Sequence, residues 1–169
     1  MTVKDREAIR SQLTTMLPRL RRFAVSLTGN MAEADDLVQD TVERALKNLH
    51  RWQPGTRLDS WLYRIAQNIW IDTVRARRVR LTVGEPPEDA VVADGIRDAE
   101  QRSAFVKTCR ALAKLPEEQR VVVVLVSVEG MSYQETADIL QVPIGTVTSR
   151  LARAREALAA DVFGTEDRP

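Results

Sequence analysis

Ser132-Tyr133-Gln134-Glu135-Thr136-Ala137-Asp138-Ile139-Leu140-Gln141-Val142-Pro143-Ile144-Gly145-Thr146-Val147-Thr148-Ser149-Arg150-Leu151-Ala152-Arg153 decides the fold of this chain, because it spells two helices and the turn between them. Its first four residues form a capping box: the Ser132 hydroxyl can accept from the N–H three residues on, and Glu135 can reach back to the N–H of Ser132. The helix so opened carries Thr136, Ala137, Ile139 and Leu140 and stops at Gln141-Val142. Pro143 suits the first position of a second helix, where its missing N–H would have had no partner. That helix is predicted to run to about residue 160. At roughly 100° per residue, Val147, Leu151, Ala154 and Leu158 fall on one narrow stripe that must face a core. Ser149, Ala152, Arg153 and Glu156 lie opposite, with Thr148 and Arg155 on one flank and Arg150 on the other. An amphipathic helix with a solvated polar face is the plainest account of that wheel by itself. The paired helix, the capping box and the tight turn point further, to a helix-turn-helix whose second helix reads DNA. Arg can hold guanine through two hydrogen bonds, and Ser and Thr serve several base edges or phosphates.

Upstream, Val121-Val122-Val123-Val124-Leu125-Val126 has the composition of a strand. Pro116-Glu117-Glu118 before it makes a good first helical turn, and a lone strand would have no pairing partner. A buried helix over 116–128, ended by Gly130, is therefore predicted. Nearer the N-terminus, Leu13, Leu17, Leu20 and Leu27 mark a helix that Thr28-Gly29-Asn30 breaks. Asn30 with Glu33 resembles a capping box and opens a helix over 31–49, whose apolar positions recur at three and four. Trp52-Gln53-Pro54-Gly55-Thr56 reads as a loop. Asp59 or Ser60 can cap a further helix over 61–78. On it Leu62, Ile65, Ala66, Ile69, Thr73 and Ala76 share one face, and Arg64, Gln67, Asn68, Ile71, Arg75 and Arg78 the other.

Charge divides the chain in the same places. Residues 1–80 hold 15 Lys and Arg against 9 Asp and Glu, residues 81–102 hold 2 against 6, and the remainder is near balance. With Gly84, Pro86, Pro87 and Gly95, the acidic middle reads as a flexible linker. The expected architecture is all-α: a module over 10–80, a linker over 81–97 and a second module over 98–163. A chain 44% apolar and 29% charged, without a run near the roughly 20 apolar residues of a membrane span, is expected to be soluble and cytoplasmic. No signal-peptide pattern opens it. One cysteine, Cys109, and one histidine, His50, leave no metal-ligand set, and no cofactor is expected. Cys109 is expected to be a buried, inert thiol and His50 a helix-end residue. No nucleophile–base pairing or phosphate-binding glycine loop is present, so the chain is not expected to be an enzyme.

Leu115-Pro116-Glu117-Glu118-Gln119-Arg120, Gly130 to Ala137 and Gly145 to Arg155 resemble the fourth region of extracytoplasmic-function sigma factors, the specificity subunits of bacterial RNA polymerase. Ala34-Asp35-Asp36-Leu37-Val38-Gln39-Asp40 and Ser60-Trp61-Leu62-Tyr63-Arg64-Ile65-Ala66-Gln67-Asn68, with Asp72 and Arg75, are similar to their second region. The resemblance spans about residues 13–160 in order. It implies that Thr146, Thr148, Ser149, Ala152 and Arg153 face the promoter −35 element, led by Ser149 and Arg153. It implies that Arg57, Ser60, Trp61, Arg64, Asn68, Arg75 and Arg78 hold the −10 strand, with Trp61 or Tyr63 able to stack on a base and Trp61 more simply packed under the loop. It implies that Asp36, Gln39, Asp40, Val42 and Leu46 dock on core polymerase, while Leu37 and Val38 belong to the core of the fold. Implied partners are core RNA polymerase, promoter DNA and an anti-sigma factor. Thr148 stands where many relatives carry a basic residue, and Ala152 replaces a larger side chain in some, so no −35 sequence carries over. The 52–56 stretch resembles the general-stress subgroup. Two other readings use fewer of these residues. A polymerase-independent repressor or activator leaves 31–80 unexplained. A sigma mimic that sequesters an anti-sigma factor needs neither Asn68 and Arg75 nor Ser149 and Arg153, and would be expected to carry a receiver domain.

Overall fold

The structure, a computed structural model, describes residues 3–81 and 99–163. Among them every regular element is helical: α1 (Val3–Thr28), α2 (Met31–Lys47), a 3-10 turn (Leu49–Arg51), α3 (Leu58–Leu81), α4 (Ala99–Ala113), α5 (Glu117–Val123), a π-helical turn (Val124–Val128), α6 (Tyr133–Leu140) and α7 (Ile144–Phe163). The predicted linker, beyond Leu81 at the end of α3, lies outside the described residues.

Helix α1 stops at Gly29, whose positive φ closes the turn, and the Asn30 carboxamide then accepts from the Glu33 N–H at 3.1 Å to start α2. His50 is exposed within the 3-10 turn. Helix α3 begins at Leu58, earlier than the predicted start at Trp61. Asp59 therefore sits inside the first turn, where its carboxylate accepts from the Ser60 N–H at 2.7 Å. The predicted wheel of α3 is also corrected. Gln67, placed on the polar face, is buried, while Thr73 and Ala76, placed on the apolar face, are exposed. Beyond Trp70 the inner side of α3 carries Ile71 and Val74, half-buried against the core, and Arg77 pairs with Glu33 of α2 at 3.2 Å, which leaves Thr73 and Ala76 toward solvent.

The valine run is helical, as its capping signals predict. What the sequence did not foretell is the π turn, in which the Glu129 N–H reaches Val124 O at 3.0 Å. Val121, Val122, Val123, Val124 and Leu125 are all buried, so this segment is enclosed on every side. The strand-like composition reflects that enclosure rather than pairing.

One apolar core joins the two halves of the chain. Leu20, Phe23 and Leu27 of α1 and Tyr63 and Trp70 of α3 pack with Val122 and Leu125, and with Ile139, Val147 and Leu151 of the helix-turn-helix. A smaller cluster of Ile9, Leu13, Ala45, Leu49, Leu58 and Leu62 closes the far end of the first three helices. Burial of this kind stabilises by about 25 cal/mol per Å² of apolar surface.

Candidate nucleic-acid interface

The capping box is complete in space. Ser132 Oγ accepts from the Glu135 N–H at 3.1 Å, and Glu135 Oε2 accepts from the Ser132 N–H at 2.7 Å. The Ser132 N–H on its oxygen holds the Glu135 carboxyl below its ordinary range. Helix α6 ends at Gln141 in the left-handed region, φ 55°, a conformation that glycine adopts more cheaply. The chain then turns through Pro143, which stands one place before α7 and accepts from the Thr146 N–H at 2.9 Å, rather than occupying the first helical position.

On α7 the predicted stripe holds: Val147, Leu151 and Ala154 are buried and Leu158 is half-buried. Thr148, Ser149, Ala152 and Arg153 are exposed together, and Thr146 is half-buried at the edge. Thr148 Oγ1 donates to Ile144 O and Ser149 Oγ to Thr146 O, both at 3.1 Å. Each hydroxyl thus spends its proton on its own helix and turns an acceptor outward. Arg153 makes no side-chain bond among the described residues, whereas Arg150 is tied to Glu118 at 2.8 Å and braces α7 against α5.

The candidate −10 residues divide. Asn68, Arg75 and Arg78 are exposed on α3 and Trp61 is half-buried beside the 52–56 loop. Asn68 and Arg75 line a cleft of ≈ 460 Å³ between α3 and the second half of the chain. Trp61, Ser60, Arg57 and Arg64 border a second cleft of ≈ 550 Å³ with Trp52. Tyr63 is not a stacking candidate. Its ring is fully buried with Phe23, centroids 4.8 Å apart, and its hydroxyl donates to Glu129 Oε2 at 2.6 Å. Burial, then that bond, pushes the phenol well above its ordinary range.

Asp59 is buried beside Arg57 (2.6 Å) and Arg19 (3.6 Å). Burial pushes its carboxyl up, but the Arg57 and Ser60 hydrogen bonds outweigh it and hold the group below the usual carboxylate range. On α2, Asp36, Gln39, Asp40 and Leu46 are exposed along one side with Val42 half-buried, while Leu37 is in the core and Val38 half-buried against it. Cys109 is buried, and burial pushes its thiol up.

Sequence reasoning missed three side chains that the tertiary structure places centrally. Trp70 is buried with the Arg120 guanidinium 5.3 Å from its ring centroid. Arg120 itself crosses to Leu27 O at 2.8 Å. Glu129 is buried among Arg19, Arg22 and Tyr63. A glutamate directly before the Gly130 to Ala137 motif was the available signal.

An all-helical chain with a free hydroxyl-and-arginine face on a helix-turn-helix, and an arginine-lined helix in its other half, defines a DNA-binding protein of the sigma-70 type. The family models described as "Sigma-70 region 2" and "Sigma-70, region 4" match residues 13–80 and 110–158. The chain is 37% identical over 166 residues to the ECF RNA polymerase sigma factor EcfG of Rhodopseudomonas palustris, covering 95% of this chain and 90% of that one. It is 32% identical to the ECF RNA polymerase sigma factor SigW of Bacillus subtilis, covering 91% and 88%. Among solved structures, the sigma factor RpoE from Bartonella quintana, in complex with the anti-sigma factor NepR, superposes with a TM-score of 0.77 at 31% identity, over 96% of this chain and 99% of that one. The chain belongs to the extracytoplasmic-function family of RNA polymerase sigma factors. It binds core polymerase, recognises promoter elements at −35 and −10, and promotes transcription initiation. No described helix is long and apolar enough to cross a membrane.

Proposed function

We propose a division of labour among the named side chains. The observation that carries it is the single exposed face on which α7 presents Thr148, Ser149, Ala152 and Arg153. Helix α7 lies in the major groove at −35. The outward acceptors of Thr148 and Ser149 take hydrogen bonds from exocyclic amines, Arg153 donates to guanine, and Ala152 packs on a thymine methyl group. Thr146, at the start of the helix, faces a phosphate.

Arg57, Arg64, Arg75 and Arg78 neutralise the phosphates of the separated −10 strand, with Asn68 hydrogen-bonding a base and Ser60 and Trp61 shaping the cleft that receives it. Trp61 packs under the loop rather than stacking on the base. The exposed side of α2, with Asp36, Gln39, Asp40, Val42 and Leu46, docks on core polymerase. The modules run over 10–80 and 98–163 with 81–97 between them.

The protein is a regulatory subunit and not itself an enzyme; it works in the cytoplasm, where the polymerase is. Its similarity along nearly the whole chain to a sigma factor solved with an anti-sigma factor supports control by a separate anti-sigma protein. The resemblance of the 52–56 loop to the general-stress subgroup favours a place in the general stress response.

In vitro transcription with core polymerase and a promoter library tests the division of labour. Charge-neutral variants on α2 are expected to lose polymerase binding while keeping duplex binding. Variants on α7 are expected to do the reverse. Loss of both activities from either set would sink the assignment.

A further inference from the structure

The side chains assigned to the −10 strand lie on α3 or immediately before it, yet each cleft that they line has a second wall. That wall is α2 and the 3-10 turn behind it. Arg44 of α2 lines the first cleft with Asn68 and Arg75. Arg51, the last residue of the turn, lines the second with Trp61 and Arg64. Local packing holds both in place. Thr41 and Ala45 are buried, which fixes the rotation of α2 and leaves Arg44 exposed. At about 100° per residue, Arg44 stands about 160° around α2 from both Val42 and Leu46, the apolar members of the polymerase-docking side. Leu49 is buried and Trp52 is half-buried against the smaller cluster, which leaves Arg51 exposed between them.

Charge shows what these two arginines add. The first cleft is lined by Arg44, Arg75 and Arg150 against Asp72 and Glu118. The second is lined by Arg51, Arg57 and Arg64 against Glu135 and Asp138. Without Arg44 and Arg51 each cleft would be electrically balanced; with them each carries a surplus positive charge. Neither guanidinium is spent on the fold. Among the described residues neither has a side-chain hydrogen bond or ion pair, whereas Arg21 and Arg77 are held by Asp35 and Glu33 of α2. A basic residue in the last turn of α2 also favours the helix dipole. That role needs only a charge near the helix end and gives no reason for a place on a cleft wall. Surplus guanidinium charge along a groove is what the backbone of a single strand requires.

We propose, resting on the strand-binding reading given above, that Arg44 and Arg51 form the second wall of a trough for the −10 strand. Each neutralises one phosphate on the side facing away from α3. They stand about 10 Å apart along the helix direction, so they meet different phosphates. Such contacts carry no sequence information. They add affinity and fix the path of the strand, leaving the choice of base to α3.

The test uses holoenzyme assembled from the full chain and core polymerase. The probe is fluorescein-labelled forked DNA, double-stranded at −35 and single-stranded at −10, and a fully duplex −35 fragment is the comparison. Binding is measured across a range of KCl. Arg44→Gln and Arg51→Gln are each expected to flatten the slope of log K against log salt by about 0.7 on the fork, and to weaken binding about three- to fivefold at about 150 mM salt. Binding to the duplex fragment and assembly with core are expected to stay unchanged. Arg44→Lys keeps the charge and is expected to restore the slope. Arg110→Gln, at an exposed position of α4 that lines neither cleft, removes the same charge and is expected to leave the slope alone. An unchanged slope for either residue overturns its assignment, as does weakened assembly with core or an equal effect of Arg110→Gln. Arg75→Gln separates the second wall from the reading beneath it. If Arg75→Gln flattens the slope while Arg44→Gln and Arg51→Gln do not, the strand-binding reading stands and the second wall fails. If none of the three flattens it, the strand-binding reading itself fails, and the second wall with it.

Discussion

Removing the Tyr63 hydroxyl is the most informative small perturbation in this molecule. Tyr63→Phe keeps the ring against Phe23 and deletes one bond, from Oη to Glu129 Oε2 at 2.6 Å. A hydrogen bond to a charged group contributes about 1.5–3 kcal/mol. Here Arg22 Nη2 remains on the same oxygen at 2.8 Å, so the carboxylate is not orphaned. The expected loss is therefore at the low end, about 1–2 kcal/mol. Glu129→Gln removes the charge from among Arg19 and Arg22 and turns an amide donor toward donors. Breaking a buried pair costs about 3–5 kcal/mol, but these arginines are 37% and 52% exposed and water can take them up, so about 2–3 kcal/mol is expected. The double variant should cost less than the sum by about 1 kcal/mol, because the Tyr63 bond weakens once its acceptor is neutral. Urea unfolding followed by tryptophan fluorescence measures the cycle, with the buried Trp70 as a reporter. Strict additivity, or a Tyr63→Phe cost below about 0.5 kcal/mol, would refute the claim that this bond ties the two halves together.

Other expectations follow from particular residues. Arg153→Ala should lower discrimination among −35 sequences by about 1–3 kcal/mol in competitive binding, whereas equal weakening on all sequences would mean that it touches only phosphate. Gln141→Gly should stabilise the turn by about 0.5–1 kcal/mol, since the left-handed backbone costs a side chain more than the added chain entropy of glycine; a fall in Tm would contradict this. The Asp59 carboxyl is depressed in the folded state, so its contribution is complete above the unfolded value of about 3.9 and is lost as pH falls through the lower folded value. The Tm gap between wild type and Asp59→Asn should accordingly be constant at neutral pH and shrink below about pH 4; a gap that ignores acid would count against the Arg57–Asp59 pair. Cys109, buried and with its thiol pushed up, should react with iodoacetamide at mildly alkaline pH far more slowly in the folded chain than in urea, and equal rates would contradict its burial.

The wheel of α7 was legible because one side of that helix meets one core, so the 3.6-residue period maps directly onto burial. The Ser132–Glu135 box was legible for a similar reason: its partners are three residues apart. Helix α3 was less legible, because different parts of it meet different neighbours. Gln67 is drawn inside, Thr73 and Ala76 are left outside, and Tyr63 points at a carboxylate 66 residues away. The π turn at Val124–Val128 left no mark in the local pattern, since α and π backbones accept the same valines.

By itself the sequence determined the all-helical class, the capped helix-turn-helix and the division by charge. Each depends on local bonds and on a periodicity that no distant contact alters. Only the tertiary structure decided how the halves meet. Glu129 and Arg120 look like ordinary surface charges in a string of letters. They become buried links because Arg22, Tyr63, Leu27 and Trp70 arrive from elsewhere in the chain to satisfy them. A buried charge persists only where such partners are supplied, and which partners are supplied is a property of packing rather than of spacing.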